Sequence, residues 1–437
     1  MRWLSYIFLI TIPLLSCSGD DDSSVSGHHV EWIKTFGGSK NEVANSIVNT
    51  QDGGYVVLGY TQSSDGDVTN NPIEGHDYWV LKFNANDELE WNKTYGGSLD
   101  DRGNEIIQTQ DGGYVIVGYS KSSDEDVTNN AGSHDLWIVK LNASGVISWE
   151  KSFGYIGSDK ALTVVQTSDN GYFIAGVLDV TASGGAGNSR AVLHSGGDFW
   201  GVKLDASGNT QWTKYYGGNL SEIPYDAIQT SDGGFIIVGS SDSIDVDISD
   251  NKGLDDFWIV KIDASGTLVW EKSFGGSGID EAHSIVASND GNYMIAGETR
   301  SNDGDVSQNS GSADVWLIKI DGSGNLLWEK TYGGSSFDVG RSIKKTQDGG
   351  YLLAGSSRSQ DGDLSTNNGQ NDAWVFKVSS NGDKQWEQSL GGSQIDFAYD
   401  VIENASNEVI LVGESSSSDF DILENKGFSD LLIAKIK

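Results

Sequence analysis

The chain has 437 residues, with 63 acidic against 28 basic side chains and a formal net charge of −35. A surface this acidic repels nucleic acid, so we exclude nucleic acid as a partner. Aromatic residues make up 10% of the chain, which is too many for a disordered protein, and the 57 glycines suit a fold with many tight turns.

The N-terminus predicts export and lipid attachment. Met1 and Arg2 give a short positive start, residues 3–15 are mostly apolar, and Cys17 follows shortly after. This pattern resembles a bacterial lipoprotein signal peptide, in which residues 1–16 would be removed and the cysteine acylated. The alternative is an ordinary secretory peptide with an unrelated cysteine. No other apolar run approaches the roughly 20 residues that a membrane span needs.

Residues 17–27 are predicted to form a flexible acidic tether, with three consecutive aspartates at 20–22. This stretch resembles the signal that sends lipoproteins of Bacteroidota to the outer leaflet of the outer membrane; a plain solvated linker is the alternative. Because Cys17 is the single cysteine, no intramolecular disulfide can form, and stability must come from packing. We therefore expect an outer-membrane lipoprotein that is exposed on the cell surface.

Residues 28–437 consist of one sequence repeat that recurs seven times. Each repeat divides into four short apolar segments, and a recurrent Asp-Gly or Asn-Gly predicts a tight hairpin between the first two. With no helical periodicity, four antiparallel strands per repeat predict the blades of a β-propeller. A tryptophan marks the fourth strand of every repeat, at intervals of 58 to 63 residues: Trp32, Trp91, Trp149, Trp212, Trp270, Trp328 and Trp386.

The order of the segments at the two ends predicts a closed circle of blades. The repeat region begins with a fourth-type strand, residues 30–36, and finishes with a third-type strand, residues 430–435. Pairing these two segments would complete the seventh blade and remove two exposed sheet edges. We therefore predict an all-β, seven-bladed β-propeller with four antiparallel strands per blade over residues 28–437, and we expect it to be a monomer.

The recurring motifs resemble a known family. Gly-Gly-Ser-x-x-Asp, Asp-Gly-Gly-Tyr and Asp-x-Trp-x-x-Lys-x-Asp-x-Ser-Gly-x-x-x-Trp look like the bacterial seven-bladed β-propeller repeat of Bacteroidota-like surface lipoproteins. The resemblance covers essentially all of residues 28–437. It implies the fold and an extracytoplasmic setting but no particular activity, although some similar lipoproteins carry lectin-like labels.

Thirteen of the 14 tryptophans occupy two repeat positions. We interpret them as structural side chains that join adjacent blades; exposed rings that stack on sugars are the alternative. The seventh repeat has Leu432 where its siblings have the third-strand tryptophan, and Trp3 lies in the signal peptide. The third-strand set is Trp79, Trp137, Trp200, Trp258, Trp316 and Trp374.

In a propeller, the connections between blades and the loops between second and third strands emerge on one face, here named the acidic face. An acidic residue stands at the entry to each inner strand, so we predict a ring of carboxylates around one mouth of the central channel. These entry carboxylates are Glu42, Asp101, Asp159, Glu222, Asp280, Asp338 and Asp396.

The long loops on the same face repeat the motif Asp-x-Asp-x-x-x-Asn. Alternating carboxylates are hard oxygen ligands, so Ca²⁺ binding is one hypothesis, although the spacing does not match an EF-hand loop. The alternative is that these side chains cap backbone amides in recurrent turns. Besides Asp65, Asp67 and Asn71 in the first repeat, the candidate ligands are Asp124, Asp126, Asn130, Asp245, Asp247, Asn251, Asp303, Asp305, Asn309, Asp361, Asp363, Asn367, Asp419, Asp421 and Asn425.

The third repeat departs from this rule. Its loop at residues 177–197 lacks the motif and carries Arg190 and His194 among small residues. Because this loop lacks the repeated motif, it could have evolved a specific contact with a ligand. The alternative is neutral drift of a surface loop.

No sequence pattern predicts a catalytic site. The six histidines have no metal-binding spacing, and the arginines at 102, 190, 300, 341 and 358 form no visible substrate-binding triad. Glycosidases use two carboxylates, but the acidic residues here recur by blade whereas a catalytic pair should be singular. We therefore predict a non-catalytic, cell-surface binding or scaffolding propeller for a protein or glycan. The alternatives are a carbohydrate-active enzyme and a structural calcium-binding envelope protein; no cofactor other than Ca²⁺ is considered.

Overall fold

The computed structural model describes residues 28–69, 71, 75–182 and 196–437. Within these residues the regular structure consists of 28 strands in seven four-stranded antiparallel sheets. The same residues contain no helix with the length and apolar character to cross a bilayer. The signal peptide and tether predicted at residues 1–27 lie outside the described residues.

Every blade has the same strand order, from the axis outward. The inner strands are β2 (Glu42–Asn49), β6 (Asp101–Gln108), β10 (Lys160–Gln166), β14 (Glu222–Gln229), β18 (Asp280–Ala287), β22 (Asp338–Lys345) and β26 (Asp396–Glu403). The second strands are β3 (Tyr55–Thr61), β7 (Tyr114–Ser120), β11 (Tyr172–Asp179), β15 (Phe235–Ser241), β19 (Tyr293–Thr299), β23 (Tyr351–Ser357) and β27 (Val409–Ser415). The third strands are β4 (Asp77–Phe83), β8 (Asp135–Leu141), β12 (Gly197–Leu204), β16 (Asp256–Ile262), β20 (Asp314–Ile320), β24 (Asp372–Val378) and β28 (Asp430–Ile436). The outer strands are β1 (Val30–Phe36), β5 (Leu89–Tyr95), β9 (Ile147–Phe153), β13 (Thr210–Tyr216), β17 (Leu268–Phe274), β21 (Leu326–Tyr332) and β25 (Lys384–Leu390).

The seven blades form a closed circle. Each inner strand contacts the inner strands of both neighbouring blades, and β26 contacts β2 to complete the circuit. The outer strand of the seventh blade is β1, which pairs antiparallel with β28 and places Thr35 opposite Leu432. The predicted seven-bladed propeller, with the chain ends paired in one blade, is therefore confirmed.

The hydrophobic core lies between the blades. Each core cluster draws side chains from neighbouring blades; Trp79 of the first blade, for example, shares a cluster with Ile410 and Ile433 of the seventh. All six third-strand tryptophans are at most 3% exposed, so their rings cannot form a platform for a ligand. Their predicted role in joining blades is confirmed.

The outer-strand tryptophans explain the recurrent Ser-Gly turn. Gly324 has a φ of +79°, and a Cβ added to it would lie 3.0 Å from the ring of Trp270 in the preceding blade. Gly266 and Gly382 approach Trp212 and Trp328 in the same way. Only glycine combines a positive φ with the absence of a side chain, and the ring therefore packs directly on the backbone.

The Gly324→Ala substitution tests this packing. We expect it to lower the free energy of unfolding by about 1–2 kcal/mol, the cost of a left-handed backbone for a residue with a Cβ, with the contact to Trp270 adding to the loss. Gly322 in the same turn is the matched control, because its φ is not in the left-handed region and a Cβ there meets no atom within 4 Å. Denaturant unfolding measures the free energy of unfolding of both variants. Equal losses of this free energy would contradict the packing of the Trp270 ring on the backbone of Gly324.

Candidate binding site at the channel mouth

A β-bulge interrupts every inner strand at the same place. In β18 the register of pairing shifts between Ala282 and Ser284, which leaves His283 without a partner residue. A bulge bends the strand and redirects the side chain of the extra residue. The seven bulge residues are Asn45, Asn104, Leu162, Tyr225, His283, Arg341 and Tyr399.

The bulge residues line the central cavity. Side chains from all seven inner strands enclose a cavity of about 100 Å³ on the propeller axis, and every bulge residue belongs to its lining. They comprise five residue types, whereas the entry carboxylate three residues earlier is acidic in every blade. The column that faces the axis is therefore variable, whereas the buried entry column is acidic throughout.

A buried charged network ties four inner strands together around the axis. Lys344 Nζ lies 3.3 Å from Asp400 Oδ1. Burial lowers the pKa of Lys344, but Asp400, Asp226 and Glu105 outweigh this and raise it overall. Asp226 Oδ2 accepts a hydrogen bond from the backbone amide of Ile285 in the next blade. These charges hold neighbouring blades in register, and we assign them a structural role.

Cationic side chains gather at the acidic-face end of the channel. All four arginines of the described residues lie there, at the start of an inner strand or at the end of a second strand. The guanidinium groups of Arg300 and Arg358 lie 5.0 and 5.8 Å from the ring centroid of Phe337. On the other side of the mouth, Arg102 lies 4.9 Å from the ring centroid of Tyr60. A chain with a net charge of −35 thus concentrates arginine at one place.

The five mouth residues Glu281, His283, Glu298, Arg300 and Arg341 form one charged cluster. Arg341 Nη1 lies 2.7 Å from His283 Nε2, and Arg300 Nη2 donates to Glu298 Oε1 at 3.0 Å. Burial lowers the pKa of His283 to about 4, so its ring is neutral at pH 7 and can accept the bond from Arg341. Ligand atoms of the two glutamates and the histidine lie within 4.8 Å of one another, but the guanidinium group of Arg341 competes with any cation at His283. We therefore do not assign a metal centre here.

The glutamates of this cluster differ in pKa. Burial is the main cause that raises the pKa of Glu281. Burial also acts to raise the pKa of Glu298, but His283, Arg341 and Arg300 outweigh it and lower the value to about 2. Glu298 is 1% exposed, so its charge is neutralised inside the protein rather than by solvent.

The entry carboxylates occupy their predicted positions, but they do not form an open ring of charge. All seven are fully buried: Glu42, Asp101, Asp159, Glu222, Asp280, Asp338 and Asp396. Asp280 Oδ2, for example, accepts the backbone amide of Gly276 at 2.8 Å, and the hydroxyl of Thr299 donates to its other oxygen. The carboxylates predicted to ring the mouth are therefore not exposed to a ligand, because they hold the Gly-Gly turn between blades.

The loop motif also binds backbone amides. Asp303 Oδ1 accepts from the amide of Ser277 at 2.7 Å, and Asp305 Oδ2 accepts from Gly275 at 3.2 Å. Asn309 accepts from the amide of Gly311 and donates to the carbonyl of Thr299. The same contacts recur at Asp124, Asp126, Asn130, Asp245, Asp247, Asn251, Asp361, Asp363, Asn367, Asp419, Asp421 and Asn425.

These contacts support the turn-capping alternative for the loop motif. Among the described residues, none of its aspartates belongs to a cluster of three metal-ligating side chains. Calcium binding by these loops stays a prediction.

The loop of the third repeat is described only at its two ends, and Arg190 and His194 lie outside the described residues. Beside those ends is a cavity of about 500 Å³, whose described lining includes Lys160 and the bulge residues Leu162 and Tyr225. This volume lies within the roughly 300–1,000 Å³ of ligand pockets. This cavity therefore adjoins the axial cavity, with which it shares Leu162 and Tyr225.

Sequence reasoning missed the bulge residues and the gathering of the arginines. The bulge residues share one repeat position, three residues after the entry carboxylate, but the position directly after that carboxylate varies at least as much, so variability alone does not single them out. The arginines stand in different repeat positions, such as Arg102 within an inner strand and Arg358 after a second strand. Only the antiparallel pairing of those strands brings the two positions to the same end of a blade.

The comparisons with known proteins show the fold but neither the family nor the function. No family model matches the chain. The regulatory protein FlaEY of Caulobacter vibrioides is 25% identical over 241 residues, which cover 50% of this chain and 25% of that protein. The match thus spans about a quarter of that relative's length.

The Pan2 WD40 domain, among the solved structures, supports the architecture. The Pan2 WD40 domain of Neurospora crassa has a TM-score of 0.51 at 8% identity, covering 93% of this chain and 95% of that one. Sqt1 from Chaetomium thermophilum has a TM-score of 0.47 at 10% identity, covering 92% and 99%. The chain is a seven-bladed β-propeller. Its resemblance to the bacterial propeller repeat family stays a prediction.

A second buried carboxylate faces each entry carboxylate. A Cβ added to Gly275 would lie 2.5 Å from Asp256 Oδ1 and 2.6 Å from Asp280 Oδ2, so the two carboxylates flank this glycine. Asp256 Oδ1 is buried without a hydrogen-bond partner. Burial, with a contribution from the charge of Asp280, raises the pKa of Asp256 to about 7, and the corresponding effects raise that of Asp77 to about 8.

These raised pKa values predict that the protein is more stable at mildly acidic pH. A carboxyl group with a raised pKa binds its proton more tightly in the folded state, so its contribution to stability is fully present below its ordinary pKa of 3.8 and is lost progressively as the pH rises from there to the folded pKa of about 7 to 8. We expect the melting temperature to fall by a few degrees between pH 5.5 and pH 8. Below about pH 4 the trend reverses, because the hydrogen bond from Lys377 holds the pKa of Asp348 down at about 2.

The Asp256→Asn variant separates this effect from general charge repulsion. We expect it to raise the melting temperature at both pH values and more strongly at pH 8, because the cost of the buried carboxyl group grows with pH between its ordinary pKa of 3.8 and its folded pKa of about 7. Asp250→Asn removes an exposed charge and is the control. Thermal unfolding of both variants at pH 5.5 and pH 8 gives the shift in melting temperature for each variant at each pH. Equal shifts in the two variants would contradict the raised pKa of Asp256.

Proposed function

We propose that this protein is a non-catalytic receptor, anchored through Cys17 to the outer face of the outer membrane, that binds a protein or glycan at the channel mouth. One observation carries this proposal. The bulge residues at the axis differ from blade to blade, whereas the buried entry carboxylate three residues earlier is acidic in every blade. Variation on a rigid, repeated scaffold is typical of a recognition site.

The rest of the acidic face is committed to structure. The entry carboxylates are buried, and the loop aspartates accept backbone amides of the Gly-Gly-Ser turns. The mouth residues, unlike these carboxylates, are accessible to a ligand. Arg358 is exposed, and Arg341 lines two cavities. This contrast favours recognition at the mouth over recognition by the outer loops.

The direction of β1 supports display of the mouth away from the membrane. Val30 at its start pairs with Ile436 at the end of β28, whereas Asp430 at the start of β28 lies on the acidic face. The chain therefore enters the propeller at the opposite face. A tether over residues 17–27 spans at most about 36–40 Å when fully extended. An anchor at Cys17 would thus hold that opposite face toward the bilayer.

Replacing Cys17 by alanine tests the anchor. We expect the protein to leave the outer-membrane fraction and to lose incorporation of labelled fatty acid, because the acylated thiol is removed. Ser18→Ala is the matched control and should remain membrane-bound and labelled. Retention of the Cys17→Ala protein in the membrane fraction would disprove anchoring at this cysteine.

Binding is tested with the purified mature protein on arrays of glycans and of purified surface proteins. We expect a specific ligand whose affinity falls at least ten-fold in Arg341→Ala, since a charged hydrogen bond is worth about 1.5–3 kcal/mol. Lys272→Ala also removes one positive charge, from the outer strand β17, and should bind normally. Equal losses in both variants would show that binding depends on charge alone and not on the mouth.

A carbohydrate-active enzyme is the second candidate function. The carboxylate oxygens of Glu281 and Glu298 lie within 4.8 Å of each other, and their pKa values are shifted in opposite directions. Paired carboxyl groups with separated pKa values act as acid and base in glycosidases. The burial of Glu298 favours the structural role. Release of reducing sugar from a bound glycan, abolished in Glu298→Gln, would establish the enzyme instead.

A further inference from the structure

A small cavity opens at the mouth between the sixth and seventh blades. Its volume is about 140 Å³. Side chains from β22, from the end of β23 and from β26 meet there, and the cavity combines guanidinium groups with aromatic rings. The lining residues that matter are Phe337, Arg341, Arg358, Asn371, Phe397 and Tyr399.

Arg358 brings an uncompensated positive charge to this cavity. Its Nε donates to Asn371 Oδ1 at 2.7 Å, and its guanidinium group lies 5.8 Å from the ring centroid of Phe337. Both contacts are to neutral groups, and within the described part of the chain Arg358 forms no ion pair with a carboxylate. In a protein with 63 acidic residues, a cation that pairs with no carboxylate of the described residues is available for an anionic ligand.

Arg341 adds a second guanidinium group to the same cavity. Its close contact is with the neutral ring of His283 at 2.7 Å, and Glu298 is more distant at 3.9 Å. The side chain is 36% exposed, so part of the guanidinium group remains open to the cavity. The planar fork of arginine matches the geometry of a carboxylate, with two parallel hydrogen bonds.

We propose that this cavity binds the carboxylate of an acidic sugar, of the uronic or sialic acid type, at the end of a glycan. This inference rests on the proposed function and names its ligand class. Arg358 and Arg341 bind the carboxylate group. Phe397 and Tyr399 provide an apolar wall for the carbon skeleton of the sugar, and Ser356 and Asn371 are side chains that hydrogen-bond to hydroxyl groups.

Size and charge both favour a single acidic sugar over a polyanion. The volume of about 140 Å³ is well below the roughly 300–1,000 Å³ that encloses a whole small molecule, so the cavity admits one terminal group. The net charge of −35 repels a ligand with many negative charges, such as an acidic polypeptide segment. One carboxylate on an otherwise neutral glycan avoids this repulsion and still pairs with the arginines.

Titration with acidic and neutral monosaccharides tests the proposal. Saturation-transfer NMR on the mature protein uses galacturonic acid and N-acetylneuraminic acid as probes, with galactose as the neutral control. We expect saturable binding of at least one acid and none of galactose. We expect Arg358→Ala to weaken binding at least ten-fold and added salt to weaken it further, whereas Lys272→Ala leaves it unchanged. Because Arg358 is exposed, an unchanged melting temperature confirms that the variant folds.

The outcomes separate this proposal from the proposed function. Equal binding of galactose and the acids, no binding of either acid, or unchanged binding by Arg358→Ala overturns the acidic-sugar site. A neutral glycan that binds the array and is lost in Arg341→Ala would then still support the receptor. If only a peptide carrying a single carboxylate binds, in a manner that requires Arg358, the sugar assignment is overturned. Absence of any mouth-dependent ligand overturns both.

Discussion

The pairing of β1 with β28 is the interaction on which the rest of the structure depends. It joins the first described strand to the last within one blade, so the seventh sheet has four strands like the others. Closure in turn places β26 against β2 and completes the circle of inner strands. Without it, two blades would lose a neighbour and expose their apolar faces, and no axis would exist for the bulge residues to surround.

The closed circle also determines where charge can be placed. Buried carboxylates at the blade junctions accept backbone amides of the tight turns, and Lys344 with its acidic partners occupies the axis. These sites use charge to hold blades together. The arginines at the mouth are different, because Arg358 contacts only neutral groups and stays exposed. The molecule is therefore strongly acidic overall, and its described arginines gather at the channel mouth, where Arg102 and Arg300 pair with carboxylates and Arg358 does not.

Much of the fold could be predicted from the sequence, because the repeat is regular. The Asp-Gly turns set the hairpins, the tryptophan intervals set the number of blades, and the unmatched end strands predicted closure. The binding site could not be predicted in the same way. The entry carboxylates look like ligands in sequence, yet their burial follows from the Gly-Gly turn folding over them, as at Asp280. Arg341 reaches the axis because a bulge redirects it, and a bulge leaves no local sequence signature.

The most direct test of closure is the distance between the two ends of the repeat region. Glu31 and Lys437 are at the same edge of the seventh blade, where their side chains form an ion pair at 2.6 Å. Spin labels on cysteines at these two positions, measured by the dipolar broadening of the continuous-wave electron paramagnetic resonance spectrum in a sample diluted with unlabelled protein, report this distance. A single short distance within each molecule is predicted. A long or broadly distributed distance would show an open array of blades and would contradict the propeller mouth as a binding site.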